Sequence, residues 1–554
     1  MNSQPPIGPD PSEPDAIERF VKEEITRKQA ILRFGAGGAL LALPGWLAAC
    51  GGGDDGGKTQ ATGSTPSGDV KKGGSFRMAR NEEPLSLDPI IPSDNGSIWV
   101  IYQMFDQLTT VNEDSSGIAP SIAESWEISP DGTLYTFAIR QGVMFHDGSP
   151  MTMEDVVFSL ERVFDPKGSG YSFLFGPVAS VKAVDDTNIQ ITLKEPFTPL
   201  LDNLNVFPAS IVPKAAVEAD AEAFAQNPVG TGPFKLQEFA KGRQVHLVKH
   251  DGYWKPDRPH LDEVVIPYVT DDNTRILRVQ GGEVDAAVAI PYAQIDQLDA
   301  QDDIDVQIEE LFRFDGMWLN HAKAPLDDVK VRQALNYATD KEAMLKSIFF
   351  DKVEVANHMM PKMKYWRDDV SAYEYDPERA KSLIAESKAA DGFKIPIVIP
   401  TGDVIIQQIA QIVKESYADI GVDVQITNLD IGTAYTNFSG FNYTAGANWY
   451  ITSDVPGPDE LAAIQFDYSA TSGTKSFFTN YNSKKATELV LEAGRSDDAT
   501  REQLFGELQQ LVMDDAVLVA LFFTPARAAL RSNVKDFKTV KTAWWRLEDV
   551  WLDS

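Results

Sequence analysis

Residues 123–163, AESWEISPDGTLYTFAIRQGVMFHDGSPMTMEDVVFSLERV, set two periodicities side by side. Residues 126–128 and 135–139 alternate apolar and polar side chains, as strands with one buried face do. Pro130-Asp131-Gly132 between them has turn chemistry, which predicts a hairpin. Gln141-Gly142 makes a second turn, and Val143 and Phe145 continue as a strand to the turn His146-Asp147-Gly148. Thr152 with Asp155 has the form of a helix start, after which Val156, Val157, Leu160, Val163 and Phe164 fall on one helical face. Strands running directly into an amphipathic helix predict a mixed α/β architecture.

The same mixture extends outward. Residues 245–250, 264–269, 395–399, 422–426 and 517–523 read as strands. Residues 274–279, stopped by Gly281-Gly282, and 329–338 read as helices. So do a stretch capped by Asp340 and running to Ile348, residues 404–417 with their stop at Gly421, and residues 501–513. No internal repeat is present. A chain of 554 residues exceeds what one hydrophobic core usually supports, so two or three domains are expected. With 43% hydrophobic residues it can fill them. Its 82 acidic residues against 50 basic ones give a formal charge of −32. Such a surface repels nucleic acid and anionic lipid, which are set aside as partners. It steers cations weakly, or serves only to keep the protein soluble.

Cys50 is the only cysteine. Disulfides within the chain and multi-cysteine zinc sites are therefore excluded. Thr26-Arg27-Lys28 precedes an apolar, small-residue run at 30–49 that Arg33 and several glycines interrupt. It makes a poor permanent span and reads as a signal peptide. Leu47-Ala48-Ala49-Cys50 resembles the lipobox of bacterial lipoproteins, in which the cysteine is lipidated and becomes the first residue. The bland alternative is a buried thiol in a short helix. The long acidic leader and the run Thr26-Arg27-Lys28-Gln29 leave general and twin-arginine export both open. Residues 51–74 are rich in Gly, Asp, Ser and Thr and read as a flexible tether of some 25–30 Å.

Several stretches together resemble family 5 of the bacterial extracellular solute-binding proteins, which serve ABC importers for dipeptides, oligopeptides and nickel. They are residues 123–163, PVGTGPFKLQEF at 228–239, Asp251-Gly252-Tyr253-Trp254, GGEVDA at 281–286 and LDDVKVRQALNYATDKEAML at 326–345. The last helix and strand, followed by Asn533-Val534-Lys535-Asp536-Phe537, also fit. The resemblance runs from about Ser75 to the end. It implies a periplasmic-binding-protein-like fold of class II, in the three-domain cluster C type, with two hinge-linked lobes. Domain I would be 75–110 with 230–320 and 530–554, domain II 111–229 and domain III 321–529, after a signal peptide at 1–49 and a lipidated tether at 50–74.

What the resemblance implies about function is equally specific. A peptide is enclosed between lobes, its backbone paired like an added strand and its α-ammonium held by a carboxylate. The family's carboxylate stands in a Trp…Asp-x-Pro-Asp-Pro segment, which matches residues 449–459 here and makes Asp454 the anchor. Gly457 replaces the usual second acid. Read without the family, an Asp ahead of Pro-Gly-Pro is a turn former; as the anchor, its carboxylate is expected to stand open to solvent in the empty state. Trp449 and Tyr450 are candidates to line the pocket, with ordinary core aromatics as the alternative. Strand pairing would fall at Leu85, Ser86 and Leu87. His146-Asp147-Gly148 is expected to be a structural turn.

Between Arg379 and Arg495 there is no arginine, so the usual clamp for a ligand carboxylate is missing from that lobe. A lysine, or an arginine of the other lobe, could stand in; longer or variable-length peptides are favoured. His246 and His250 lie too far apart on one strand for a shared ion, so no metal and no cofactor is expected. No HExxH, GxSxG or P-loop pattern is present, which argues against a secreted hydrolase, although paired carboxylates abound. The expected partners are a peptide and the permease subunits of an importer, with the membrane reached only through the lipid of a monomeric, extracytoplasmic lipoprotein. Another solute, such as an oligosaccharide or amine, and a sensor role on the same fold remain open.

Overall fold

In a computed structural model of the chain the described residues are 70–92, 94–370, 372–469, 476 and 478–553. The expected signal peptide, Cys50 and most of the expected tether thus lie outside the described residues.

The opening segment folds as its periodicities require. Strands Ala123–Ile128 and Leu134–Ile139 form an antiparallel hairpin. Asp131 closes its turn, accepting from Ser129 Oγ at 2.6 Å and Thr133 N at 3.2 Å. Gly132 supplies the turn's positive φ of 68°. Asn188–Leu193 and Val178–Ala183 extend the hairpin to a four-stranded antiparallel sheet. Helix Met153–Phe164 starts on a capping box in which Thr152 and Asp155 serve each other's backbone N–H. Its buried Val156, Leu160 and Val163 share a core with Tyr135, Phe137 and Ile139 of the sheet. The strand expected at Val143 and Phe145 does not form. Met144 makes one isolated bridge to Pro150, because Phe145 N and Met151 N are taken by Ser149 O and Val143 O across the turn, both within 2.9 Å.

Two larger sheets carry the rest. In the seven-stranded sheet the order is Ile304–Glu309, Ala526–Arg531, Ala286–Val288, Ser75–Ala79, Glu263–Pro267, Gln244–Lys249, Phe234–Ala240. In the six-stranded sheet it is Glu354–Val355, Leu518–Phe523, Arg313–Leu319, Ala445–Thr452, Phe393–Pro400, Val422–Leu429. Leu518–Phe523 is buried throughout, which explains why it reads as an unbroken apolar run.

The chain passes between these sheets at 310–312 and again at 524–525. Strands Ile304–Glu309 and Ala526–Arg531 pair antiparallel on one side, and Arg313–Leu319 and Leu518–Phe523 pair antiparallel on the other. Both crossings fall several residues before the limits expected at 320 and 529. Hydrogen-bond partners decide which sheet a strand joins, and the strand patterns alone do not name partners.

The first strand also sets one wall of the cleft. Buried Arg80 lies against the rings of Trp99 and Trp545, 5.2 and 5.1 Å from their centroids, and donates to Gly96 O at 2.9 Å. It thereby fixes the start of helix Asn95–Met104, whose N-cap is Asp94.

Candidate functional site

A cavity of about 780 Å³ is lined from both sheets and from the four-stranded unit. That size is typical of a small-ligand site.

Strand Ala445–Thr452 brings in the acidic corner. It pairs with Arg313–Leu319, so that Thr452 faces Arg313 and Tyr450 faces Asp315. The strand then runs into the Ser453–Pro458 turn, which is held at one end by Ser453 N donating to Phe312 O at 2.9 Å. Glu460, in the first turn of helix Asp459–Phe466, folds back onto it. Glu460 Oε2 accepts from Asp454 N at 2.7 Å and from Ser453 Oγ at 3.0 Å. Asp454 lines the cavity but is only 8% exposed. Among the described residues its one side-chain partner comes from the four-stranded unit: Tyr171 donates its phenol to Asp454 Oδ2 at 3.3 Å.

Two buried carboxylates therefore lie together. Burial pushes Asp454 up to about 7, and burial with the neighbouring Asp454 charge pushes Glu460 up to about 8. Their protons come off as those of a pair. Among the described residues no basic side chain offsets either one. Such a pocket is stabilised by a cation that also donates hydrogen bonds. The solvent-open turn carboxylate expected at 454 is thus overturned, because the helix at 459 and Tyr171 close over it.

Tyr450 lines the cavity with its ring 40% exposed and stacked 3.8 Å from the Arg313 guanidinium. Trp449 pairs with Gly316 on the strand, and its side chain lies outside the described residues. Leu85 is 63% exposed and lines the opposite wall. The N–H groups of Leu85 and Ser86 are already committed to Ser97 Oγ, at 2.8 and 3.1 Å, and Leu87 is buried in the core. The segment therefore offers side-chain surface at Leu85 rather than a free strand edge over all three residues.

His146 and His250 pack edge to face with centroids 4.9 Å apart, and each ring bonds Gly232 O. Burial lowers both, so they are neutral and structural. Among the described residues no group of three or more His, Cys, Asp or Glu could hold a metal, and no helix is long and apolar enough to cross a membrane.

Sequence reasoning missed Tyr171, Glu460, Arg313 and Arg527 as cavity residues. Glu460 was findable, six residues after Asp454 in the first turn of a helix. Tyr171 was not, since it reaches the site only through the packing of a distant unit.

The chain matches the family model described as Bacterial extracellular solute-binding proteins, family 5 Middle, over residues 117–472. It is 30% identical over 471 residues to the dipeptide-binding protein of Escherichia coli (strain K12), covering 78% of this chain and 86% of that one. It is 28% identical to heme-binding protein A of Haemophilus influenzae, with 83% and 89% covered. The ABC transporter-associated periplasmic binding protein DppA from Helicobacter pylori, solved in complex with peptide STSA, superposes with a TM-score of 0.78. It is 27% identical, with 87% of this chain and 99% of that chain covered.

Proposed function

This chain belongs to family 5 of the bacterial extracellular solute-binding proteins, and from that premise we propose that it is the peptide receptor of an ABC importer. It binds its ligand without converting it. Lipid on Cys50 holds it at the outer face of the cytoplasmic membrane, where it hands the peptide to the permease.

The observation that carries the peptide reading is the buried pair Asp454 and Glu460, which lines the cavity and which no basic side chain among the described residues offsets. A peptide's α-ammonium supplies the missing charge, and the carboxylates accept its hydrogen bonds where water is excluded. Tyr450 and Leu85 give the ligand amphipathic and apolar surface on opposite walls. The names of the Escherichia coli relative and of the Helicobacter pylori complex support the same ligand class.

The body works as two lobes of three domains. One lobe carries the seven- and four-stranded sheets and the other the six-stranded sheet, closing about the crossings at 310–312 and 524–525. A bound peptide touches both lobes only when they are closed, which couples capture to the shape the permease meets.

Mass spectrometry of whatever the native protein retains on purification tests this reading. Peptides released on denaturation support it. A retained sugar or haem, with no peptide, would count decisively against it.

A further inference from the structure

Among the described residues seven acidic side chains line the cavity but only two basic ones, Arg313 and Arg527. Most of the acids are already engaged: Asp94 and Asp403 cap helices, Glu82 pairs with Arg80, and Glu83 accepts from Gly242 N at 2.6 Å. The two arginines differ sharply from each other. Arg313 grips Asp315 with both arms, Nε to Oδ2 at 3.2 Å and Nη2 to Oδ1 at 3.0 Å, and that charge is cancelled.

Among the described residues Arg527 has no such carboxylate partner. Its Nε donates to Ile290 O at 2.8 Å and its Nη1 to Pro525 O at 3.4 Å, while its guanidinium lies 3.7 Å from the Tyr292 ring centroid. Two carbonyls use two of five donors and neutralise nothing. The acids that influence it, Asp315 and Asp272, are held elsewhere: Asp315 by Arg313 and Thr524, Asp272 by Arg275 at 2.6 Å. An arginine taken out of water without an acid is costly, and here it borders the cavity beside a crossing between the sheets.

We propose that Arg527 receives an anionic group of the bound solute, so that the cavity selects zwitterions: peptides with a free C-terminal carboxylate as well as a free ammonium. The planar fork suits a carboxylate, which can take two parallel hydrogen bonds from it. This deepens the peptide reading and rests on it. Asp454 follows a strand of the six-stranded sheet and Arg527 stands on a strand of the seven-stranded one. A ligand with opposite charges at its ends would tie the two sheets together. The missing clamp of the 379–495 segment is then replaced from the hinge rather than abandoned.

Alanine tri-, tetra- and pentapeptides, each as free acid and as C-terminal amide, should be titrated calorimetrically into the full chain. At the favoured length the free acid should bind wild type about tenfold or more tighter than the amide. Arg527→Gln should weaken the free acid and leave the amide unchanged, and Arg527→Lys should retain part of the preference. Equal binding of acid and amide by wild type overturns the proposal without any variant having to fold. So does an equal loss of both on Arg527→Gln, the result expected if Arg527 only braces the crossing. An N-acetylated free acid separates the two ends: it weakens through Asp454 yet keeps its dependence on Arg527. Failure of the ammonium reading would leave acetylation without effect, whatever Arg527 does.

Discussion

Replacing Asp454 by alanine strips one of two buried carboxylates from the corner where the ligand's ammonium is proposed to sit. Losing one member of a buried charge pair typically costs about 2–5 kcal/mol. Glu460 remains beside the site, held by Asp454 N and Ser453 Oγ at 2.7 and 3.0 Å, and still faces the cavity. The single variant should therefore fall in the lower half, about 2–3 kcal/mol, or roughly thirty- to two-hundredfold in affinity. Asp454→Asn keeps the shape and one acceptor and should lose less. Asp454→Asn with Glu460→Gln should lose most. Because burial holds Asp454 near 7 and Glu460 near 8, the empty pair keeps a proton at neutral pH that an arriving ammonium expels. Isothermal calorimetry at pH 7, in two buffers of different ionisation enthalpy, reads both affinity and the released proton. An N-acetylated peptide should bind wild type weakly, release no proton, and lose little more on Asp454→Ala. If acetylated and free peptides bind wild type equally, the ammonium anchor is wrong and so is the ligand class.

The same pair predicts an unusual pH dependence for the empty protein. Asp454 rises from an ordinary 3.8 to about 7 and Glu460 from 4.5 to about 8, so the folded state binds more protons than the unfolded one in between. Their contribution to stability is therefore present below about pH 4 and lost as pH rises towards 8. Asp454→Asn should raise Tm at pH 8 and not at pH 4, and thermal melts showing no pH-dependent difference would contradict the burial argument. At Gly457 an added methyl would collide with Asp202 Oδ2 of helix Leu200–Asn203, which packs against the turn. Gly457→Ala should hinder closure and cost about 1 kcal/mol, or roughly fivefold in affinity, with the ligand-bound radius of gyration in small-angle scattering moving towards the empty value; unchanged affinity would show that Asp202 simply turns aside. Cys50→Ser should give a protein that takes no diacylglycerol label and leaves the membrane fraction, with the Tm of the body unchanged, and a labelled mutant would end the lipoprotein reading.

What was legible in the sequence was local. The hairpin around Asp131, the capping box of Thr152 and Asp155 and the buried strand Leu518–Phe523 each follow from side chains a few residues apart. Asp454 was reached through a resemblance, and its residue type was enough to suggest a charge role. Its burial was not legible, because Tyr171 comes from a unit almost three hundred residues away. The sheet that Arg313–Leu319 joins was not legible either, since its own residues do not name its partners and only Ala445–Thr452 and Leu518–Phe523 decide. Arg527 carries no sequence signal of its own. Only the engagement of Asp315 and Asp272 by other groups marks it out.

The position of the first strand has a consequence for how the chain acquires its structure. Ser75–Ala79 lies inside the seven-stranded sheet, parallel to two strands made about two hundred residues later. Its Phe76 packs against Phe537, ring centroids 6.1 Å apart, and Ala526–Arg531 is the only link between Ile304–Glu309 and the rest of that sheet. Contacts so distant in sequence must close long loops before they return any free energy, which slows assembly of this sheet relative to the hairpins. A nascent chain released before residue 526 has neither the clasp for Ile304–Glu309 nor the aromatic cover for its own beginning. It stays open to chaperones and proteases until almost its last residues emerge.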